Sequence, residues 1–269
     1  MGNGVYTLSD RMKECYENRS KTYLTRKIPV IIRIDGKAFH TFTKGFHKPY
    51  DAVFHTAMNE TAEYLCRNIQ GCKMAYTQSD EISLLLTDFE TPTTDAWFDY
   101  SVQKMTSISA SLATFAFNKS LSGLICKTKE ENIKNTEYLE TLLKARETGA
   151  FFDARCFSIP KEEVTNYFIW RQQDATRNAI QMLGQVYFTH KELEGQNNDM
   201  IQDMLMTQRG INFNDMPSEF KRGVCIVKKQ ISCTDRLCGY KTDWTIDRNI
   251  PIFTKDRNYI ERFLETDND

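Results

Sequence analysis

Several things are scarce or missing in this sequence. Its 269 residues include only six prolines and four histidines, and no apolar run reaches the roughly 20 residues needed to cross a membrane. The stretch "MGNGVYTLSDRMKECYENRS" has no apolar signal core, and Tyr6 stands where an N-myristoylation motif wants Ser or Thr. These absences lead us to expect a cytoplasmic protein without a membrane attachment. The eight cysteines, at positions 15, 66, 72, 126, 156, 225, 233 and 238, form no Cys-x-x-Cys pair, which argues against a structural zinc site. Five of them sit in or beside apolar runs, as small core residues do in a reducing compartment. Neither sign of charge is in excess. Lys and Arg number 35 against 36 Asp and Glu, a formal net charge of -1, so the surface is not coated for phosphate. Local basic pairs remain, Lys44 with Lys48, Lys127 with Lys129, Lys221 with Arg222 and Lys228 with Lys229. Each can be a groove for a polyanion or simply a solvated face.

What is present reads as a globular chain without repeats or low-complexity segments, long enough for one large domain or two modest ones. Residues 28–35 predict a strand with Ile32 and Ile34 on one face and Ile31, Arg33 and Asp35 on the other. "KPYDAVFHTAMNETAEYLCRNIQG" predicts a helix capped by Asp51 and stopped at Gly71, with Val53, Ala57, Tyr64, Leu65 and Ile69 at helical spacing. Met74 to Thr77 and Ile82 to Thr87 flank the polar tip Gln78-Ser79-Asp80-Glu81, which signals a hairpin. A long helix is expected over 97–118, then a charged, exposed helical arm over 127–148. "FFDARCFSIP" follows as a short strand, and then come helices from "KEEV" to "MLGQVYF", with a weak spot at Gly184, and over "NNDMIQDMLMTQRG". "FKRGVCIVKKQI" is the last clear strand. The order β-α-β-β-α-β, with helices to spare, predicts an α+β sandwich of ferredoxin-like type, its antiparallel sheet carrying helices on one face.

That topology sets β1 beside the hairpin, so Asp35 and the tip acids Asp80 and Glu81 are expected at one sheet edge. Converging acids repel, and divalent cations remove the conflict. Two magnesium ions also suit the chemistry, one activating an attacking hydroxyl and one steadying a leaving oxygen. Magnesium prefers one or two carboxylates completed by substrate phosphates. Gly36 would let its backbone approach a metal or phosphate, and Lys37, Ala38, Phe39 and His40 could offer successive amides to a triphosphate. The competing reading is a pair of solvated turns, because Asp-Gly and Ser-Asp-Glu are ordinary loop chemistry.

"RIDGKAFHTF" (33–42), "HKPYD" (47–51), "YTQSDEISLLL" (76–86), "WF" (97–98), "FDAR" (152–155), "WRQQD" (170–174) and "FKRG" (220–223) occur in this order in a known family. The chain resembles the tRNA-His guanylyltransferases, and most closely the guanylyltransferase-like proteins of that superfamily, from about residue 5 to residue 230. The resemblance implies a polymerase- or cyclase-type palm over 1–230 and a C-terminal extension, 231–269, packed on the same domain. It implies 3′-to-5′ nucleotide addition: ATP adenylylates a tRNA 5′-monophosphate, then the 3′-hydroxyl of GTP or another nucleoside triphosphate displaces AMP. It also implies two magnesium ions, tRNA as partner and a homotetramer built as a dimer of dimers.

By position, Asp35 and Asp80 match the family's metal-binding carboxylates, the Gly36 carbonyl completes a metal shell, and Glu81 matches an adjacent acid that activity needs. Asp35 through His40 (with Gly36, Lys37, Ala38 and Phe39) and the pair Ser79-Asp80 match nucleotide-binding segments. Lys48, Lys104 and Arg155 match basic residues suited to phosphate contacts. For Lys104 a solvent-facing helix position is the alternative, and for Arg155 a salt bridge to Asp153; Arg171 and Asp174 read as a structural pair along a helix. One departure bears on substrate. Where enzymes dedicated to tRNA-His carry His-Ile-Asn-Asn, this chain has Thr176-Arg177-Asn178-Ala179. That favours template-dependent repair of truncated tRNA 5′ ends over untemplated G addition to tRNA-His. A nucleotidyl cyclase and an inert RNA-binding module remain as further alternatives.

Overall fold

Val30, Ile31, Ile32 and Ile34 fix β1 (Val30–Gly36) as an interior strand, because branched side chains fit a pleated sheet better than a helix. In the computed structural model, which describes residues 6–130, 136–232 and 240–265, all four are wholly buried. Ahead of β1, α1 (Leu8–Cys15) is held by a Thr7–Asp10 capping box and buries nothing; after it comes the one-turn α2 (Phe39–Phe42). Then follow α3 (Ala52–Asn68), β2 (Cys72–Gln78), β3 (Glu81–Leu86), α4 (Val102–Glu130), α5 (Thr136–Thr148) and β4 (Phe152–Ser158). The chain continues through α6 (Lys161–Tyr187), α7 (His190–Leu193), α8 (Asn198–Arg209), α9 (Ser218–Arg222), β5 (Val224–Ser232), β6 (Tyr240–Asp247) and α10 (Asn258–Glu261).

The six strands lie in the order β4-β1-β3-β2-β5-β6, every neighbour antiparallel. The first four, with α3 and α4 as crossovers, make the ferredoxin-like palm that the element order predicts. One face packs Val30, Ile32, Ile34, Ile82, Leu84 and Leu86 against α3 and α4. The opposite face packs Ile31, Met74 and Leu85 against Val164 and Phe168 of α6 and against Ile250, Phe253 and Ile260 beyond β6. Thus the palm helices cover one face, while the additional helix α6 and the C-terminal segment cover the other. The boundary expected at residue 230 falls inside β5, which pairs with β6 from Cys225↔Asp247 to Ser232↔Tyr240. No helix among the described residues is long and apolar enough to cross a membrane.

Two expectations are corrected. The helix expected from Trp97 starts instead at Val102, because Phe98, Asp99 and Tyr100 take left-handed φ of 53°, 52° and 56°, which a right-handed helix cannot contain. It then runs past Asn118 to Glu130. The charged stretch 127–148 is not an exposed arm over its second half. Tyr138, Leu142 and Ala145, at helical spacing, bury α5 in the α3–α4 core, and the Tyr138 hydroxyl donates 2.7 Å to the Asp51 carboxylate. Residues 131–135 of that stretch, and Cys233 and Cys238, lie outside the described residues.

Candidate nucleotide and metal site

Side chains of residues paired across antiparallel strands project to the same face, so register turns sequence into rows. Gln78, Glu81, Asp35 and Asp153 form one row across β2, β3, β1 and β4 at the sheet end. One pleat step back, Tyr76, Ser83, Arg33 and Arg155 form the next, and behind them lie apolar Met74, Leu85, Ile31 and Phe157. The face therefore grades from hydrocarbon to base to acid, and the acid row ends beside the Ser79-Asp80 turn. A Gly36 N–H to Asp80 carbonyl bond of 3.0 Å ties that turn to the end of β1. Ser79 (φ 54°) and Ala38 (φ 56°) are held left-handed without being glycine, the kind of backbone strain that collects at functional sites.

The acids do not share one environment. Glu81 is neutralised: Arg33 reaches it at 2.8 Å and Arg171, a 9%-exposed arginine of α6, at 2.7 Å. Burial pushes its carboxyl up, and Arg171 and then Arg33 pull it back. Asp80 has no arginine partner among the described residues. Its pKa is raised first by burial and further by Asp35, against opposing bonds from its own amide and the Ser79 hydroxyl (3.0 Å) and the charge of His40. So the expected trio resolves into a pair, Asp35 and Asp80, beside an acid already satisfied.

Two cavities flank the pair, and Asp35, Gln78, Ser79 and Asp80 line both. The larger, about 400 Å³, has Gly36, Ala38, His40 and Lys48 at its mouth and an apolar floor of Phe46, Phe54 and Met182. That volume and mix suit a nucleotide. The smaller, about 220 Å³, lies between the acid row and Arg171, Asp174 and Asn178 of α6. Among the described residues no group of three or more His, Cys, Asp or Glu encloses a metal site. The donors that Asp35, Asp80 and Gly36 offer are all oxygens, and the uncompensated crowding of Asp80 is what a divalent cation relieves. They fit magnesium, with water and substrate phosphates supplying the remaining ligands.

The other expected residues divide. Arg155 lies at the edge of the acid row, 2.9 Å from Asp153 and 3.7 Å from Asp35, so the expected salt bridge extends to the metal-ligand candidate. The amide of Lys37 is not free for a triphosphate, because it donates 2.8 Å to the Phe151 carbonyl. The amides of Ala38, Phe39 and His40 open α2, whose first N–H groups have no partner within the helix. Lys104 is not brought to the site. It sits in the first turn of α4 over the Phe98 ring, whereas α4 meets the acid end of the sheet at Thr114 and Asn118, about 15 Å further along its axis. Gly36 answers to a different constraint from the one expected. A Cβ there would stand 2.3 Å from the Phe39 ring, which packs on Phe42, Phe54, Phe117 and Phe152. Gly36→Ala is thus expected to cost about 1–3 kcal/mol through overpacking, read as a lowered urea midpoint at unchanged slope.

Sequence reasoning gave Arg33 no role, read Arg171 only as the partner of Asp174, and passed over two histidines that line the larger cavity. His47 stacks on Tyr138 at 3.8 Å and His55 on Tyr50 at 4.1 Å. The signal available was three of the four histidines falling within residues 40–55. Burial lowers the His55 pKa to about 4, against a smaller opposing pull from Asp51. Between that value and the unfolded pKa of about 6.5 the unfolded chain binds the extra proton, so stability is full above pH 6.5 and falls as pH drops toward 4. The ceiling is about 3 kcal/mol, because the ring keeps an edge on the cavity. Denaturation in urea across pH 4–7 should show His55→Gln flattening that acid limb.

The family model described as "Thg1: tRNAHis guanylyltransferase" matches residues 9–160. An uncharacterized protein of Acanthamoeba polyphaga mimivirus is 31% identical, covering 96% of this chain and 88% of its own. A solved bacterial tRNA(His) guanylyltransferase (Thg1)-like protein in complex with ATP is 42% identical with a TM-score of 0.80, covering 96% of this chain and 99% of that one. A second, in complex with GTP, is 40% identical with a TM-score of 0.77, covering 96% and 98%.

Proposed function

Because the chain belongs to the Thg1 family of tRNAHis guanylyltransferases, which are nucleotidyltransferases, we propose that it restores missing 5′ nucleotides of truncated tRNA by templated 3′-to-5′ addition. The observation that carries this reading is the pair of cavities sharing Asp35 and Asp80. A two-substrate displacement needs a nucleotide and an RNA end brought to one acid pair from two sides. In the first step a 5′-phosphate oxygen attacks the α-phosphorus of ATP, and the bond to pyrophosphate breaks. In the second the 3′-hydroxyl oxygen of the incoming nucleotide attacks the activated 5′-phosphorus, AMP departs, and the hydroxyl proton is released. Asp35, Asp80 and the Gly36 carbonyl would hold magnesium, which when bound supplies an activated oxygen nucleophile and neutralises charge on the leaving oxygens. Lys48 and Arg155 contact phosphates, His40 and the α2 amides orient the nucleotide, and Ser79 positions Asp80 by its hydrogen bond. Glu81 fixes the acid row through its two arginines. The ATP and GTP bound by the two bacterial Thg1-like structures support these as substrate classes.

Thr176-Arg177-Asn178-Ala179 supports repair over G addition to tRNA-His. The test sizes products from 5′-monophosphorylated tRNA lacking its first nucleotide, given magnesium, ATP and all four nucleoside triphosphates. Extension that stops at the restored paired end, and fails in Asp35→Ala, is expected. Extension one G beyond the paired end, on tRNA-His alone, would replace repair with dedicated guanylylation. No extension on either would defeat both.

A further inference from the structure

The largest cavity described, about 750 Å³, is not at the acid row but on the other side of α6. Helix α6 divides the two: Arg171, Asp174 and Asn178 face the acid row, and Trp170, Gln173, Thr176 and Arg177 face this cavity. Among the described residues no acidic side chain lines it, whereas Arg177, Lys221 and Arg222 do. Arg177 is paired with Asp174 at 2.6 Å, but among the described residues Lys221 and Arg222 make no ion pair. Crowding by burial and then by Arg222 holds the Lys221 amine below its usual range. The Trp170 indole, 47% exposed, lines the same cavity, with the Arg171 guanidinium 4.3 Å from its ring centroid. The same Arg171 is the partner of Glu81, so Trp170 lies one residue from the acid row.

We infer that this cavity is a second RNA site, in which Trp170 stacks on a nucleobase and Lys221 and Arg222 hold a phosphate of the same strand. The inference rests on the proposed tRNA substrate. A half-exposed indole beside the Arg222 guanidinium and the Lys221 ammonium, whose Nζ also donates to the Asn214 carbonyl, with amide groups of Gln173 and Asn214 at hand, is the chemistry of sequence-tolerant strand binding. A helix diameter of about 10 Å separates it from the acid row, a span of one or two nucleotides. It therefore takes residues next to the reacting end, not the end itself.

The test measures fluorescence anisotropy of the labelled, truncated tRNA with full-length protein in EDTA and no triphosphate, so no chemistry intervenes. Trp170→Ala is expected to weaken binding about tenfold and Trp170→Phe far less, while tRNA-induced quenching of tryptophan emission disappears in both. Lys221→Gln with Arg222→Gln should weaken binding and flatten the slope of log affinity against log salt by about 0.7. ATP affinity by equilibrium dialysis should stay within twofold of wild type in all three. Unchanged tRNA affinity in every variant would overturn the inference while leaving repair intact. Parallel loss of ATP affinity would overturn it too, since the cavity would then act only through the fold. Failure of the wild type to bind tRNA would remove the functional reading itself, and the second site with it.

Discussion

Asp80→Asn should abolish nucleotide addition and, in EDTA, raise the melting temperature. The loss is expected to be roughly 10³-fold or more, because a ligand of the reacting centre is removed. The gain follows from the position of Asp80, which burial and then the charge of Asp35 penalise when it is ionised. An amide keeps the acceptor for Ser79 and sheds the charge. A gain on the order of 1 kcal/mol corresponds to about 2–4 °C for a chain of this size. The sign with pH is fixed. A carboxyl raised in the fold is ionised more readily when unfolded, so its penalty grows as pH rises past the unfolded value of about 3.9 and is full at neutral pH. The advantage of the Asn variant should accordingly be largest at neutral pH and vanish in acid. Magnesium should raise the wild-type melting temperature by mass action and leave that of the variant nearly unmoved. A variant that melts lower in EDTA, or that keeps the magnesium response, would remove Asp80 from the metal site.

Arg171→Met carries the second large effect. It leaves Glu81 largely buried with Arg33 alone and strips Asp174 of its 2.8 Å partner. Removing one partner of a buried pair costs 3–5 kcal/mol, and the surviving Arg33 contact places this case near about 3. The double variant Arg171→Met with Glu81→Gln should recover part of that loss, because no carboxylate is then stranded. Arg171→Lys should not recover it, since an ammonium cannot bond Glu81 and Asp174 through a planar fork. Urea denaturation of wild type, Arg171→Met, Glu81→Gln and the double variant completes the cycle. A coupling below about 0.5 kcal/mol would mean the network is solvated and does not organise the acid row.

Legibility in the sequence followed the range of the interaction. The alternation of Ile31, Arg33 and Asp35 and the Asp51 cap are local, and the structure has them as read; the hairpin is there too, its tip narrowed from Gln78–Glu81 to Ser79-Asp80 because Gln78 and Glu81 pair. Asp51 accepts from the Phe54 amide at 2.9 Å, as an N-cap should. Arg171 pairs with its i,i+3 neighbour Asp174 as read, but its second partner Glu81, 90 positions away, is brought near only by packing α6 on the sheet. The density of charge around α5 hid a legible spacing, Tyr138, Leu142 and Ala145. Lys104 stands over the Phe98 ring, away from the acid row, for a different reason. Matching by position fixes a residue on a helix, but the left-handed run at Phe98–Tyr100 decides where that helix starts.

The pairing of β1 with β4 also sets a schedule for synthesis. Asp35 emerges from the ribosome 120 positions before Arg155, which stands beside it in the finished sheet. Glu81 of β3 follows Asp35 by 46 positions, so for the remaining 74, about 4–15 s at 5–20 residues per second, a strand containing four aliphatic residues has only one flank protected, by β3. During that interval the nascent chain presents a ready template for intermolecular pairing. Slowing translation between the codons for Leu86 and Phe152 should therefore lower the soluble yield, whereas slowing it after Ser158 should not.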